Sequence, residues 1–249
     1  MTMPKRGEIE YVKNLDADAV RHAVGKPFTD PECGRYLMDL GAVLTLLPPP
    51  PARVLDLGVG TGWTSVLLAR RGYDVVGQDI APDMVALAER NRAAAGDVAL
   101  RFVVRDYEQL SFTGEFDAAL FYDALHHAED ERAALAGAYR ALRPGGVCLT
   151  VEPGRGHAAS ARATAERFGV TEKDMPPERI IALGRALGFR AFRVYPRPAV
   201  YPILTDPDTT FWPWQYFRRG MRQLAKAVLG PWWERRQALR GNHIVWMQK

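Results

Sequence analysis

Apolar positions along this chain change period wherever glycine or proline interrupts them. Cys33, Leu37, Leu40, Leu44 and Leu47 stand alternately four and three apart, which is one stripe of a helix. That helix is expected to begin with Asp30 as its N-cap and Pro31 as its first residue, and to stop at the prolines from Pro48 to Pro51. Residues 53–57 read as a short buried strand, Gly58 to Gly62 as a turn, and residues 65–71 as a helix closed by Gly72. The alternation repeats with a strand at 74–78, a helix at 82–95 ended by Gly96, and strands at 99–104 and 116–121. A helix at 129–142 stops at Pro144-Gly145-Gly146, and 147–151 is the next strand. Two helical stretches follow, the second at 176–187 with Gly188 beyond it. The strand at 189–195 alternates as an edge strand does, and 243–248 is the last strand. Strands alternating with helices imply an α/β fold with a doubly wound, seven-stranded, mostly parallel sheet.

With 249 residues, 47% apolar and 25% charged, the chain suits one large α/β domain or two small ones, which excludes disorder and fibrous repeats. No apolar run approaches the roughly 18 residues of a membrane span, and the N-terminus mixes charges without an apolar segment. The expected location is cytoplasmic. Cys33 and Cys148, each inside an apolar stretch, suit buried thiols in a reducing compartment. The net charge of +4 is uneven: residues 196–249 hold nine Lys or Arg against three Asp or Glu, leaving 24 against 26 elsewhere. Five of the six tryptophans, including Trp212 and Trp214, fall in that same segment. About 47 residues separate the last two strands, too many for an ordinary connection. From Trp214 onward, Trp214, Phe217, Met221, Leu224, Ala225 and Val228 share one helical face, opposite Arg218, Arg219, Arg222 and Lys226.

The strongest chemical signal is Asp56-Leu57-Gly58-Val59-Gly60-Thr61-Gly62, placed directly after a strand and opening a helix. Glycines there let a nucleotide-like ligand approach the backbone and the helix N-terminus. A dinucleotide fingerprint would need its third glycine at position 63, which is Trp63, and the Asp56 carboxylate would repel a pyrophosphate while suiting an ammonium. Asp79 ends the second strand, and Asp106-Tyr107 follows the third. The fourth runs from Phe116-Asp117 to Tyr122-Asp123-Ala124-Leu125-His126-His127, and Leu142-Arg143-Pro144-Gly145-Gly146 precedes the fifth. In order and spacing across residues 53–151, these motifs resemble the class I S-adenosylmethionine-dependent methyltransferases of small-molecule type, and the chain is similar to their ubiquinone/menaquinone methyltransferase-like group.

The resemblance implies a Rossmann-like fold and S-adenosyl-L-methionine as cofactor. It divides the chain into an N-terminal helical cap at 1–51, an S-adenosylmethionine-binding core at 52–195, a Trp/Arg-rich helical insertion at 196–242 that caps the substrate, and the final strand of the core at 243–249. Asp79 would accept from both ribose hydroxyls, with Ile80 packed on adenine. Asp106 would accept from the adenine amino group, unless it merely caps the strand end, and Tyr107 would line the same pocket. Gly58 and Gly60 would admit the methionine part, Asp56, Val59, Thr61 and Gly62 would complete the cofactor-binding turn, and Trp63 would either pack beneath the helix or screen the sulfonium. Tyr122 and Asp123 lie where the fourth strand meets the cofactor, and Asp123 faces either the ammonium or the acceptor.

Methyl transfer is an in-line displacement that needs a base only when the nucleophile holds its proton tightly. The candidate bases are Asp123, His126, His127 and His157, with at most one of the adjacent histidines expected to point inward; a helix-start role is their plainer reading. Glu152, Arg155 and His157 form the favoured substrate loop, the alternative being an ordinary exposed turn, and Trp212 and Trp214 would add to the acceptor site. No metal is expected, because the stretch matching catechol-type relatives offers only Asp123. The fourth strand argues against nucleic acid, since amino-methylating DNA enzymes resemble one another in a polar residue, two prolines and an aromatic there.

The expected partner is a small-molecule acceptor methylated on oxygen, a sugar or another hydroxylated metabolite. Two alternatives stay open. One is carbon methylation of a lipid-soluble aromatic, with peripheral membrane contact through residues 211–236. The other is a catalytically silent, cofactor-binding regulatory protein. The tail is read first as a helical cap over the substrate, with a membrane-surface helix or plain core packing as the alternatives, and the sequence sets no oligomeric state.

Overall fold

The computed structural model describes residues 2–197 and 242–249. Seven strands form one sheet: β1 Arg53–Leu57, β2 Asp74–Asp79, β3 Leu100–Val104, β4 Phe116–Tyr122, β5 Leu142–Glu152, β6 Ala191–Pro196 and β7 His243–Gln248. Their order is β3-β2-β1-β4-β5-β7-β6. Pairings from β3 through β5 are parallel, and β7 runs antiparallel to both β5 and β6. The expected doubly wound α/β sheet, mostly parallel with seven strands, is therefore present, with β6 at the edge. Strand order reverses between β1 and β4, so a crevice opens outside the carboxyl ends of those two strands, where sheets of this kind bind ligands.

Helices cover both faces. Three precede β1, α1 Met3–Glu10, α2 Ala17–Gly25 and α3 Cys33–Leu46, and α4 Trp63–Arg70 follows it. The rest are α5 Pro82–Ala95, α6 Glu131–Ala141, α7 His157–Ser160, α8 Arg162–Phe168 and α9 Pro177–Leu187. Alternation along the strands sorts the core into two layers. Leu55, Leu57, Ala119 and Phe121 face Leu135 and Ala138 of α6 and Ile180 of α9. Val54, Ala118, Leu120 and Tyr122 face Leu40 and Val43 of α3 and Leu68 of α4. Among the described residues no helix is long and apolar enough to cross a membrane.

Several boundaries differ from expectation. Asp30 does not cap a helix: its carboxylate accepts from the Glu32 amide at 2.8 Å, its carbonyl accepts from Cys33, and the resulting turn delays α3 to Cys33. The buried stripe of α3 is Asp39, Leu40 and Val43, while Leu37 is 40% exposed and Cys33 is only partly buried. A carboxylate is tolerated in that stripe because the Tyr122 hydroxyl of β4 and the Arg197 guanidinium just after β6 reach it. β5 begins at Leu142 rather than 147, since Leu142 pairs with Phe116 across a bulge. The helical insertion and its apolar face lie outside the described residues.

Gly77 on β2 leaves room for the Phe102 ring, which would stand 2.4 Å from an added Cβ. Gly77→Ala should therefore cost about 1–3 kcal/mol through overpacking, read from urea denaturation.

Candidate functional site

The turn after β1 is built to bring the backbone close to its surroundings. Gly58 has φ +71°, and a Cβ there would lie 2.7 Å from that of Ala124, so only glycine lets the β1 and β4 loops meet. The Gly58 and Val59 amides donate to the Gln78 carbonyl, and the Gly60 amide donates to Asp79 Oδ2 at 2.8 Å. Asp79 Oδ1 accepts from the Ala81 amide at 2.9 Å. Burial pushes the Asp79 carboxyl up to about 6, against these two bonds. A cavity of about 320 Å³ opens beside it, lined by Gly60, Asp79, Ile80, Tyr107, Asp123 and His127 and closed from outside by Glu8 and Tyr11.

Asp56 stands beneath the turn, anchored to the helix that follows it. By strand alternation it faces α4, where its Oδ2 accepts from Thr64 Oγ1 at 2.7 Å and Ser65 Oγ at 2.6 Å. Burial raises its carboxyl to about 6, and the two hydroxyls lock the strand to the helix. It borders a second cavity of about 320 Å³ together with Val59, Thr61, Trp63 and Tyr122. Thr61 donates to the Ala23 carbonyl of α2, and Gly62 at φ +74° opens α4 against Phe102. Trp63 meets the rings of Tyr36 and Tyr122 edge-on, with centroids 5.7 and 5.3 Å away. Lys5 of α1 pairs with one oxygen of Asp106, and the Glu108 amide donates to the other at 2.9 Å. It caps the turn Tyr107–Gln109, the plainer of the two roles expected for it. Tyr107 donates to the Ala124 carbonyl and faces the first cavity.

Beyond β4 the chain adopts φ +48° at Asp123, a conformation rare without glycine. Arg197 holds it there, with two nitrogens on the two carboxylate oxygens at 2.7 and 2.6 Å. The same guanidinium reaches Asp39 Oδ2 at 2.7 Å and the Tyr122 hydroxyl at 3.1 Å, and that hydroxyl donates to Asp39 at 2.8 Å. Burial raises the Asp39 carboxyl even though Arg197 and Tyr122 act against the shift. No periodicity marked Arg197 or Asp39 in the sequence; a lone arginine after a strand carries no pattern.

Glu152, expected in an exposed substrate loop, is instead 0% exposed. Its carboxylate accepts from the Ala124 and Leu125 amides at 3.2 and 2.8 Å and from His126 Nδ1 at 2.7 Å, so it shapes the β4 turn. Nor does only one of the adjacent histidines face inward. The turn Leu125–His127 brings their ring centroids to 4.1 Å, and both rings line a polar cavity of about 710 Å³. His127 Nδ1 donates to the Thr171 carbonyl at 2.8 Å with Glu8 at 3.3 Å. Burial would lower this imidazole, but the bond to Glu8 and the charges of Glu8 and Glu172 outweigh it and hold it up to about 9. The protonated imidazole is thus favoured in the free protein. His157 Nε2 bonds Glu172 at 2.8 Å, and Arg155, which pairs with Glu178, borders the polar cavity with Lys26, Arg35 and Arg197. This cavity and the first share Asp123, His127 and Glu172 as a common wall. Although no metal was expected, His126, His127 and Glu172 bring possible ligand atoms within 4.8 Å of one another. Glu172, 45 residues beyond His127, sits in a loop with no legible motif. Trp212 and Trp214 lie outside the described residues.

Residues 54–146 match the family described as a methyltransferase domain. They form a class I methyltransferase domain. The match covers the glycine turn, Asp79, Asp106 and the β4 histidines, and ends within β5. Over 114 residues the chain is 40% identical to a demethylmenaquinone methyltransferase of Thermus thermophilus, covering 45% of this chain and 51% of that protein. Over 114 residues it is 37% identical to a ubiquinone biosynthesis O-methyltransferase of Xanthomonas oryzae pv. oryzae, covering 45% and 47%. The matches thus span about half the length of these curated relatives. Among solved structures, phosphoethanolamine N-methyltransferase 2 of Haemonchus contortus in complex with S-adenosyl-L-methionine superposes with TM-score 0.68 at 21% identity, over 100% of this chain and 60% of that one. At that identity the likeness is one of fold.

Arg197, beyond the matched residues, is the keystone of the β4 end. Arg197→Met should cost about 3–5 kcal/mol by leaving Asp39 buried without its cation. The deficit, measured by denaturation across pH, should shrink as pH falls, because protonation removes the stranded charge; a deficit independent of pH would contradict this account.

Proposed function

We propose that this chain is an S-adenosylmethionine-dependent methyltransferase that methylates an oxygen of a small hydroxylated acceptor, of which sugars are the first class to test. The observation that carries the reading is the pair of adjoining cavities at the strand reversal. One offers the glycine turn, Asp79 and Ile80, and the other a wall of Lys26, Arg35, Arg155, Arg197 and His157. The first suits a ribose and an adenine: each Asp79 oxygen, already bound to one amide, keeps a further lone pair for a hydroxyl. The second is too polar for a purely apolar acceptor and supplies donors to hydroxyl or anionic groups.

In this reading the acceptor oxygen attacks the methyl carbon in line with the sulfonium. The carbon–sulfur bond breaks with its electron pair left on sulfur, giving S-adenosylhomocysteine, and the hydroxyl proton passes to a side chain. His157 fits that last role. Its Nε2–H is given to Glu172, which leaves Nδ1 as the lone-pair nitrogen at the cavity wall. His127, being cationic, supplies field rather than a proton acceptor, and Glu152 and Arg197 position the turn that carries it.

A second reading rests on the relatives' names. Proteins called demethylmenaquinone methyltransferase and ubiquinone biosynthesis O-methyltransferase match this domain, which favours a lipid-soluble aromatic acceptor met at a membrane through residues 211–236. Co-sedimentation with anionic liposomes at low salt supports it, and its absence removes it. Tight cofactor binding without turnover on any offered acceptor would instead leave the regulatory reading.

Calorimetry with S-adenosylhomocysteine tests the cofactor site. Asp79→Ala should weaken binding at least tenfold, the loss of two charge-assisted hydrogen bonds. Because Asp79 titrates near 6, binding should be level above that pH and weaken as pH falls through it, since a protonated carboxyl loses acceptor capacity. The alanine variant should show a shallower acid limb. Undiminished affinity in that variant would refute the pose.

A further inference from the structure

Three side chains able to ligate a metal meet at the wall between the two cavities. His126 Nε2 stands 3.5 Å from Glu172 Oε2, and His127 completes a group whose donor atoms all lie within 4.8 Å. Two ligands of a tetrahedral ion held at about 2.0–2.2 Å stand roughly 3.3–3.6 Å apart, so the His126–Glu172 pair already has the required span. A second, independent feature concerns the far side of each ring. His126 gives Nδ1–H to the buried Glu152 carboxylate at 2.7 Å, and His127 gives Nδ1–H to the Thr171 carbonyl at 2.8 Å. Such a partner behind an imidazole fixes its tautomer and its direction, and metal-bound histidines almost always have one.

We propose that His126, His127 and Glu172 hold one divalent transition-metal ion on the wall of the acceptor-side cavity. Two imidazoles and one carboxylate form the donor set of borderline ions such as Zn²⁺ and Co²⁺, whereas Mg²⁺ and Ca²⁺ take oxygen. All three residues line the 710 Å³ cavity, so positions beyond the three protein ligands open toward it. Taken together with the O-methylation reading, on which this role rests, an ion there would polarise an acceptor hydroxyl and make its proton easier to remove. Ion binding displaces the proton that His127 carries in the free protein, and His157, bonded to the Glu172 carboxylate, competes with the ion for the same oxygen.

The test is titration of the full chain, first stripped with a chelator, with Co²⁺ followed by visible absorption, then displacement by Zn²⁺. The expected result is saturable uptake of a single equivalent, with the ligand-field bands of a low-coordinate site that vanish on adding Zn²⁺. Glu172→Gln, verified as folded by its thermal melt, should bind at least tenfold more weakly. His157→Gln, which releases Glu172, should bind as well as the unaltered chain or better, an outcome that a mere hydrogen-bond network does not produce. Absence of saturable Co²⁺ uptake by the unaltered chain overturns the proposal whatever the variants do, and so does uptake that Glu172→Gln leaves unchanged. Titration of the stripped protein with S-adenosylhomocysteine separates the two claims. Cofactor binding without ion uptake removes the metal site alone, and ion uptake without cofactor binding removes the methyltransferase reading alone.

Discussion

A carboxylate taken out of water needs donors, and four of them crowd the carboxyl ends of β1, β2, β4 and β5. Asp39, Asp56, Asp79 and Glu152 are all buried. Each is met by a different kind of donor: a guanidinium and a phenol for Asp39, two helix hydroxyls for Asp56, two backbone amides for Asp79, and amides with an imidazole for Glu152. These bonds tie the loops after the strands to the sheet itself. The crevice at the strand reversal is thereby framed by loops anchored to the sheet.

The same requirement explains the division of labour around the histidines. Glu152 spends its oxygens on the backbone of the β4 turn and on His126, so it shapes the site without touching the acceptor-side cavity. Arg197 performs the matching task on the other side, holding Asp123 in a backbone conformation it would not choose and neutralising Asp39 at the same time. The polar cavity is then faced by His126, His127 and His157, by the acids Asp123 and Glu172, and by Lys26, Arg35, Arg155 and Arg197.

Elements and the cofactor turn were legible in the sequence because they depend on local rules. Period 2 and period 3.6, glycine at positive φ and proline at helix starts are properties of short stretches, and β1, β2, β4, α5 and α9 fell within a residue or two of their expected limits. Where local rules misled, a tertiary partner had intervened. Asp30 turned its carboxylate on the next turn instead of a helix. Asp56 and Asp106 also take protein donors that the sequence did not announce, Thr64 and Ser65 for the first and Lys5 for the second. Lys5 lies 101 residues from Asp106, so no local pattern could announce the pair.

What the sequence by itself determined is therefore the alternation of strands and helices, the glycine turn, and the acidic residue that ends β2. Those follow from backbone sterics and from the burial of alternating apolar side chains, both encoded within a few residues. The tertiary structure alone decided that β7 inserts antiparallel between β5 and β6, that Arg197 closes over Asp39 and Asp123, and that Glu172 meets the two adjacent histidines. Each of these joins residues brought together only when the sheet closes, and pairing across such distances depends on the shape of the whole chain rather than on any spacing within it.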